Sequence, residues 1–119
     1  MLTRNDPPTL YVAAALTASY AALGNDTTLF ITGSAILAFR KKPIAADPSE
    51  HELYIKANAD YLSIINDSKS LGNVKVIACT GVMSIYGISR DELHDVIDEV
   101  LDFPTFISRI KDNDKLLIV

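Results

Sequence analysis

The stretch Val74-Lys75-Val76-Ile77-Ala78-Cys79-Thr80-Gly81-Val82-Met83-Ser84-Ile85-Tyr86-Gly87 holds a strand-to-helix junction with the chain's only cysteine at its centre. Val74 to Ala78 is β-branched and small apolar, broken only by Lys75, which predicts a buried strand. Val82 to Tyr86 predicts a short helix, closed by Gly87. A strand passing straight into a helix is the building unit of a parallel α/β sheet. In open sheets of that kind, ligands and chemistry collect at the carboxyl ends of the strands. Cys79 stands at such an end.

Working upstream, Glu50 to Leu71 predicts helix with a break near Asn58, its apolar face carried by Ile55, Ala59, Leu62 and Ile65, and Gly72 closes it. Lys41 to Ser49 contains Pro43 and Pro48 and reads as a surface loop. Thr27 to Thr32 predicts a buried strand, and Gly33-Ser34 a tight exit into a short helix over Ala35 to Arg40. Before it, Thr9 to Leu23 predicts a helix with Asp6 as N-cap, Pro7 and Pro8 in the first turn and Gly24 at the end. Small residues surround that helix, so it needs cover on more than one side, from a sheet and from another subunit.

Downstream, Ser89-Arg90-Asp91-Glu92 is a capping-box pattern. It predicts a helix burying Leu93, Val96, Ile97, Val100 and Leu101. Phe103-Pro104 ends it, Thr105 to Lys111 reads as a short helix, and Lys115 to Val119 as a last strand. Strands alternating with helices predict a single α/β domain: a three-layer α/β/α sandwich on a mostly parallel sheet. The chain passes from Met1-Leu2 almost directly into a helix cap, so the first strand is missing or truncated. Residues upstream of Met1 are the expected completion, since an open central edge is costly.

With 119 residues, 49 % of them apolar and 22 % charged, the chain has the balance of one soluble globular domain, not of a disordered or disulfide-stapled one. Its net charge is −4, and the tightest basic cluster, Arg40-Lys41-Lys42, is too short to track phosphates, so no nucleic acid is expected. The longest apolar run, Tyr11 to Leu23, falls short of the length of a membrane span. Asn5-Asp6-Pro7-Pro8 interrupts the place where a signal peptide would be apolar. One cysteine forms no internal disulfide, which points to a reducing, cytoplasmic setting.

A thiol at the entry of a helix faces unpaired backbone N–H groups and the positive end of the dipole, and both favour the nucleophilic thiolate. Thr80, Gly81 and Val82 would line the same spot, Gly81 allowing a sulfur anion close to the backbone. A persulfide or thiosulfonate on Cys79 is the chemistry this suggests. The plainer reading is a small core filler, because free cysteine is among the most buried residue types. Gly33 and Ser34 end the other strand on the same rim and could form an anion-binding wall; their plainer reading is a tight turn. Arg4 could reach the rim and meet thiosulfonate oxygens, or stay an exposed terminal arginine. The two histidines, His51 and His94, are far apart, with His94 expected to face solvent, and no metal-ligand spacing exists. No G-x-G-x-x-G or P-loop pattern cradles a nucleotide. Neither a metal nor an organic cofactor is implied.

Cys79-Thr80-Gly81-Val82-Met83-Ser84-Ile85-Tyr86-Gly87-Ile88 resembles the cysteine segment of the DsrE/DsrF-like sulfur-carrier proteins, in which Ala-Cys precedes a Met-containing short helix ending in Gly-Ile or Gly-Leu. Asp91-Glu92-Leu93, Thr105-Phe106-Ile107 and the closing apolar segment follow in that family's order. Ala21 to Gly24 and Thr28 to Gly33 match its first helix and second strand, so the resemblance spans residues 1–119 as one DsrE-like domain. It implies an α/β/α domain assembling as a homo-oligomer, a trimer or a hexamer. It also implies a cysteine, here Cys79, that accepts sulfane sulfur or thiosulfate from a donor protein and passes it to an acceptor, as a sulfurtransferase or a stoichiometric carrier. The chain departs from the closest subgroup in Gly81-Val82, where Met-Ser is usual, and in lacking small residues over 98–103. The alternative is a non-catalytic oligomeric α/β binding or structural module with an inert core cysteine.

Overall fold

Aspartate and proline start three of the helices. A computed structural model describes all residues from Met1 to Val119. Helix α1 (Pro7–Ala22) has Pro7 and Pro8 in its first turn and the Asp6 carboxylate accepting from the Thr9 N–H. Helix α2 (Pro48–Lys56) repeats the device with Asp47 and the Glu50 N–H, and α5 (Phe103–Ser108) with Asp102 and the Thr105 N–H. Each side chain satisfies an N–H that the first helical turn leaves without a partner. Hydrogen bonds from Thr105 hold the Asp102 carboxyl below its ordinary pKa.

Three strands form a parallel sheet in the order β1 (Thr27–Ile31), β2 (Val74–Cys79), β3 (Glu99–Leu101). Phe30 lies opposite Ile77, which lies opposite Glu99; Cys79 ends the ladder opposite Leu101. Side chains alternate between the faces of a strand, so Phe30, Ile77, Cys79 and Leu101 share one face. Leu29, Ile31, Val76 and Ala78 share the other. Those four are buried; α1 lies on their face, with α3 (Tyr61–Ser68) packed against α1. On the first face Phe106 of α5 stacks on Phe30 with ring centroids 4.0 Å apart, and Phe103 meets the same ring edge-on. The expected parallel α/β layering is what forms, with helices on both sides of the sheet.

Between the strands, the short helix expected after β1 is a 3-10 helix (Gly33–Phe39), and α4 (Thr80–Tyr86) follows β2 and packs against it. The helix expected over Glu50 to Leu71 breaks near Asn58 as anticipated, into α2 and α3, where Asn58 takes φ 57°. Ile55 stays exposed and does not join Ile65 in the core. Gly72 does not cap a helix. A Cβ there would come within 2.9 Å of the Ala21 carbonyl oxygen, so its role is to let α1 approach closely. The all-round apolar α1 buries Leu10, Ala13, Ala14, Thr17 and Ala21, and leaves Tyr11 and Val12 exposed.

Two elements differ from expectation. The capping box of Ser89 and Glu92 forms, yet it opens a single 3-10 turn (Arg90–Glu92), not a helix. Leu93 then bridges antiparallel to Arg40, and Glu99–Leu101 becomes β3. The reason is the edge of β2: Val76 to Cys79 are buried, and their backbone groups need a partner on the side away from β1. Nor does Lys115 to Val119 form a strand. The N–H of Val119 donates to the Met1 carbonyl (2.9 Å), and its carbonyl accepts from Thr3 N–H (2.9 Å). Met1 to Thr3 in turn run along β1: Leu2 N–H donates to Phe30 O (2.8 Å), and Thr32 N–H donates to Leu2 O (2.9 Å). The edge of β1 away from β2 is thus lined by these residues.

Asp98 ties the β3 side of β2 together. Its carboxylate accepts from the Val76 N–H (2.8 Å) and from Lys69 Nζ (2.6 Å), and Lys69 also donates to the Val96 carbonyl (2.8 Å). Asp98→Ala strands the Val76 N–H in a buried strand, so it should cost about 1–3 kcal/mol; urea unfolding of the two proteins checks this. Gly33 has φ 54°, and a Cβ there would collide with the Thr3 carbonyl oxygen. Gly33→Ala should therefore lower stability by about 1–3 kcal/mol. A denaturation midpoint equal to that of the parent protein would show that Met1 to Thr3 do not hold their place against β1.

Candidate functional site

Cys79 is both the last residue of β2 and the residue that starts α4. Its side chain makes no capping bond and is 1 % exposed. By the alternation along β2 it projects to the face that carries Phe30, Leu101 and the α5 layer. Gly81 lies beside the sulfur. That residue is exposed, and a Cβ placed on it would sit 3.7 Å from Cys79 Sγ, in ordinary contact with nothing else. Since its backbone does not need glycine, what the missing side chain gives is space over the sulfur. Thr80 is half-buried and Val82 buried beside it.

The rim of the sheet brings several of the anticipated residues together. Gly33 and Ser34 open the 3-10 helix after β1, the neighbouring parallel strand, and α4 packs against that helix. Gly33, Ser34, Cys79, Thr80, Gly81 and Val82 therefore lie at the carboxyl ends of adjacent strands. Arg4 also follows a segment paired with β1, but its guanidinium is engaged elsewhere. It contacts Asp6 (3.1 Å) and Thr9 Oγ1 (3.0 Å) at the start of α1, the helix on the opposite face of the sheet from the Cys79 side chain. The same neighbours act on Asp6: partial burial works against its charge, while the bonds from Thr9 and the charge of Arg4 outweigh it and hold the carboxyl low.

A separate cleft of about 330 Å³ opens beside β3, with Lys41, Arg90, Asp91, His94 and Asp95 around an apolar floor that includes Val100. Cys79 does not line it. His94, expected to face solvent, is half-buried, and its Nδ1 accepts from the Val96 N–H (3.0 Å). The cleft escaped sequence reading because Leu93, Ile97 and Val100 have helical spacing there; the β-branched Val96, Ile97 and Val100 were the available signal for extended chain. No three His, Cys, Asp or Glu side chains converge as a metal site.

The sequence profile of the DsrE/DsrF-like family matches residues 3–119. The chain belongs to the DsrE/DsrF-like family. That family is associated with sulfur-relay proteins. No curated protein matches the chain.

A buried thiol reacts through local opening of what covers it, and here the first turn of α4 lies beside the sulfur. Gly81→Ala raises helix propensity by about 1 kcal/mol and adds a methyl over the sulfur, so alkylation of Cys79 by iodoacetamide should slow about fivefold or more. An unchanged rate would mean that the thiol is reached by another route.

Proposed function

We propose that this DsrE/DsrF-like protein is a cytoplasmic sulfur carrier that holds sulfur on Cys79 between a donor and an acceptor protein. The observation that supports this most is the position of the sole thiol. It ends β2 at the sheet's carboxyl rim, under an exposed glycine, in a chain whose family is associated with sulfur relay. The Cys79 thiolate attacks the outer sulfur of a donor persulfide; the S–S bond of the donor breaks and the donor leaves as a thiolate. The outer sulfur, now bonded to Cys79 Sγ, is then taken by an acceptor thiolate in the same displacement, and Cys79 leaves as the thiolate. No net oxidation occurs. With a thiosulfonate donor such as tetrathionate, the same attack releases thiosulfate and leaves a thiosulfonate on Cys79.

In this reading residues 1–119 act as one DsrE-like domain, and Thr80, Gly81, Val82, Gly33 and Ser34 border the sulfur at the rim. Arg4 joins them only if it leaves Asp6. A homo-oligomer, a trimer or hexamer, fits the family resemblance and the exposed Tyr11 and Val12 of α1. The thiol and its neighbours supply the chemistry without a metal or an organic cofactor. No helix is long and apolar enough to cross a membrane.

One observation favours a second reading. Cys79 is 1 % exposed, as an inert core cysteine in a non-catalytic binding module would be. Intact mass spectrometry of the reduced protein after exposure to thiosulfate, tetrathionate and a persulfide donor separates the two. The carrier gains an adduct that dithiothreitol removes and that Cys79→Ser, folded by circular dichroism, does not acquire. Loading of the serine variant, or no adduct on the parent protein alongside slow alkylation, would sink the carrier reading in favour of the module.

A further inference from the structure

His94 makes three hydrogen bonds, and one of them depends on its protonation state. Its N–H donates to the Phe39 carbonyl (2.7 Å), at the end of the 3-10 helix after β1, and its carbonyl accepts from the Ile97 N–H (3.1 Å). Between those two bonds the imidazole Nδ1 accepts from the Val96 N–H at 3.0 Å. That N–H donates to no backbone carbonyl, and Val96 is 2 % exposed, so the ring is the one protein acceptor for the N–H of a buried residue. A side chain that takes the N–H two residues on makes the bond of an Asx-turn, in which the acceptor is an aspartate or asparagine oxygen. Here the acceptor is a lone pair that a proton can occupy. With Nδ1 accepting, the neutral ring carries its proton on Nε2; a second proton goes on Nδ1, which then faces the Val96 N–H donor to donor.

The turn from His94 to Ile97 carries the chain from its bridge with Arg40 into β3, and β3 runs to Leu101, opposite Cys79. We propose that His94 is a proton-operated latch on this edge of the sheet. Neutral, it closes the turn and sets where β3 begins; protonated, it releases the Val96 N–H and loosens residues 94–97 from the edge of β2. Four charged groups line the cleft with the ring: Lys41, from the loop after the 3-10 helix, and Arg90, from the 3-10 turn, against Asp91 and Asp95. The nearby Arg40 and Glu92 pair with each other (3.4 Å), and Lys69, which also holds the Val96 carbonyl, pairs with Asp98 (2.6 Å). With two charges of each sign around the cleft, the bond to Val96 is the contact that differs between the two states of the ring. What that bond contributes is present while the ring is neutral and is lost as pH falls. None of this depends on what Cys79 carries.

Nuclear magnetic resonance on the full chain tests the latch. Long-range proton–nitrogen correlation spectra at about pH 7.5 should show His94 with its proton on Nε2. Exchange of the Val96 amide, corrected for its intrinsic rate at each pH, should lose about fivefold or more of its protection between about pH 7.5 and about pH 5.5. In His94→Asn the side-chain Oδ1 takes the same N–H and does not titrate, so protection should change by less than about twofold over that range. His94→Asp keeps an acceptor in the same place and replaces the asparagine variant if circular dichroism shows that one unfolded. His51→Asn removes the other imidazole of the chain and should leave the response of the parent protein in place. A proton on Nδ1 at about pH 7.5 would overturn the latch. So would Val96 protection that does not fall in the parent protein, an equal fall in the His94 variant, or loss of the response in His51→Asn.

Discussion

Strand β2 is buried from Val76 to Cys79 and has a neighbour to find on each side. Backbone N–H and C=O groups in that position must be paired, because an unpaired one costs as much as a lost hydrogen bond. β1 settles one edge through a parallel register of five residue pairs. The other edge is settled piece by piece: the Asp98 carboxylate takes the Val76 N–H, the Val76 carbonyl takes the Asp98 N–H, and β3 continues from there to Cys79. The position of α5, the placement of Glu99 and the environment of the thiol all descend from that pairing. If 93–101 were helical, β2 would lose its second edge, and α5 would lose the strand end from which Asp102 caps it.

This explains which parts of the fold were legible in the sequence. The Asp-Pro start of α1, the β-branched run of β2 and the glycine stop after α4 are local signals, each acting within a few residues. The segment from Leu93 to Leu101 carried an equally good local signal for helix: a capping box and apolar residues at helical spacing. The box formed and then the helix did not, because one 3-10 turn satisfies the box whereas only extended chain satisfies β2. Propensity worth tenths of a kilocalorie per residue yields to buried backbone groups worth more than that apiece. The residues along Met1 to Thr3 and Val119 were invisible for the opposite reason: three residues give no periodicity to read.

The site divides in the same way. That Cys79 ends a strand at the carboxyl rim was legible from the quoted stretch alone. Which way its side chain points was not, since a one-residue shift in the strand would reverse the face. The register with Phe30 and Leu101 fixes it, and places the thiol on the side of the α5 layer, away from Arg4. The same register sets Lys75 and Glu99 on that side. Arg4 was a reasonable partner for an anion by sequence distance from the rim; Asp6 and Thr9, a few residues away, are nearer and already charged or polar.

Burial of the thiol bears on relay chemistry in two directions. A persulfide left in water exchanges with any passing thiol, so a carrier gains from a covered sulfur as long as the cover opens. Beside the sulfur lies α4, seven residues long and with Gly81 in its first turn, where a Cβ would sit 3.7 Å from Sγ. A helix of that length has little stability of its own and is held by its packing on the 3-10 helix after β1. An opening cost of about 2–3 kcal/mol would leave the thiol reachable about one part in 30 to 150 of the time, a brake on stray exchange that a docked partner could release by favouring the open form. A cover built from a long helix or from β-ladder would close the sulfur off altogether. In the proposed carrier, a short helix with Gly81 beside the sulfur would make burial compatible with exchange.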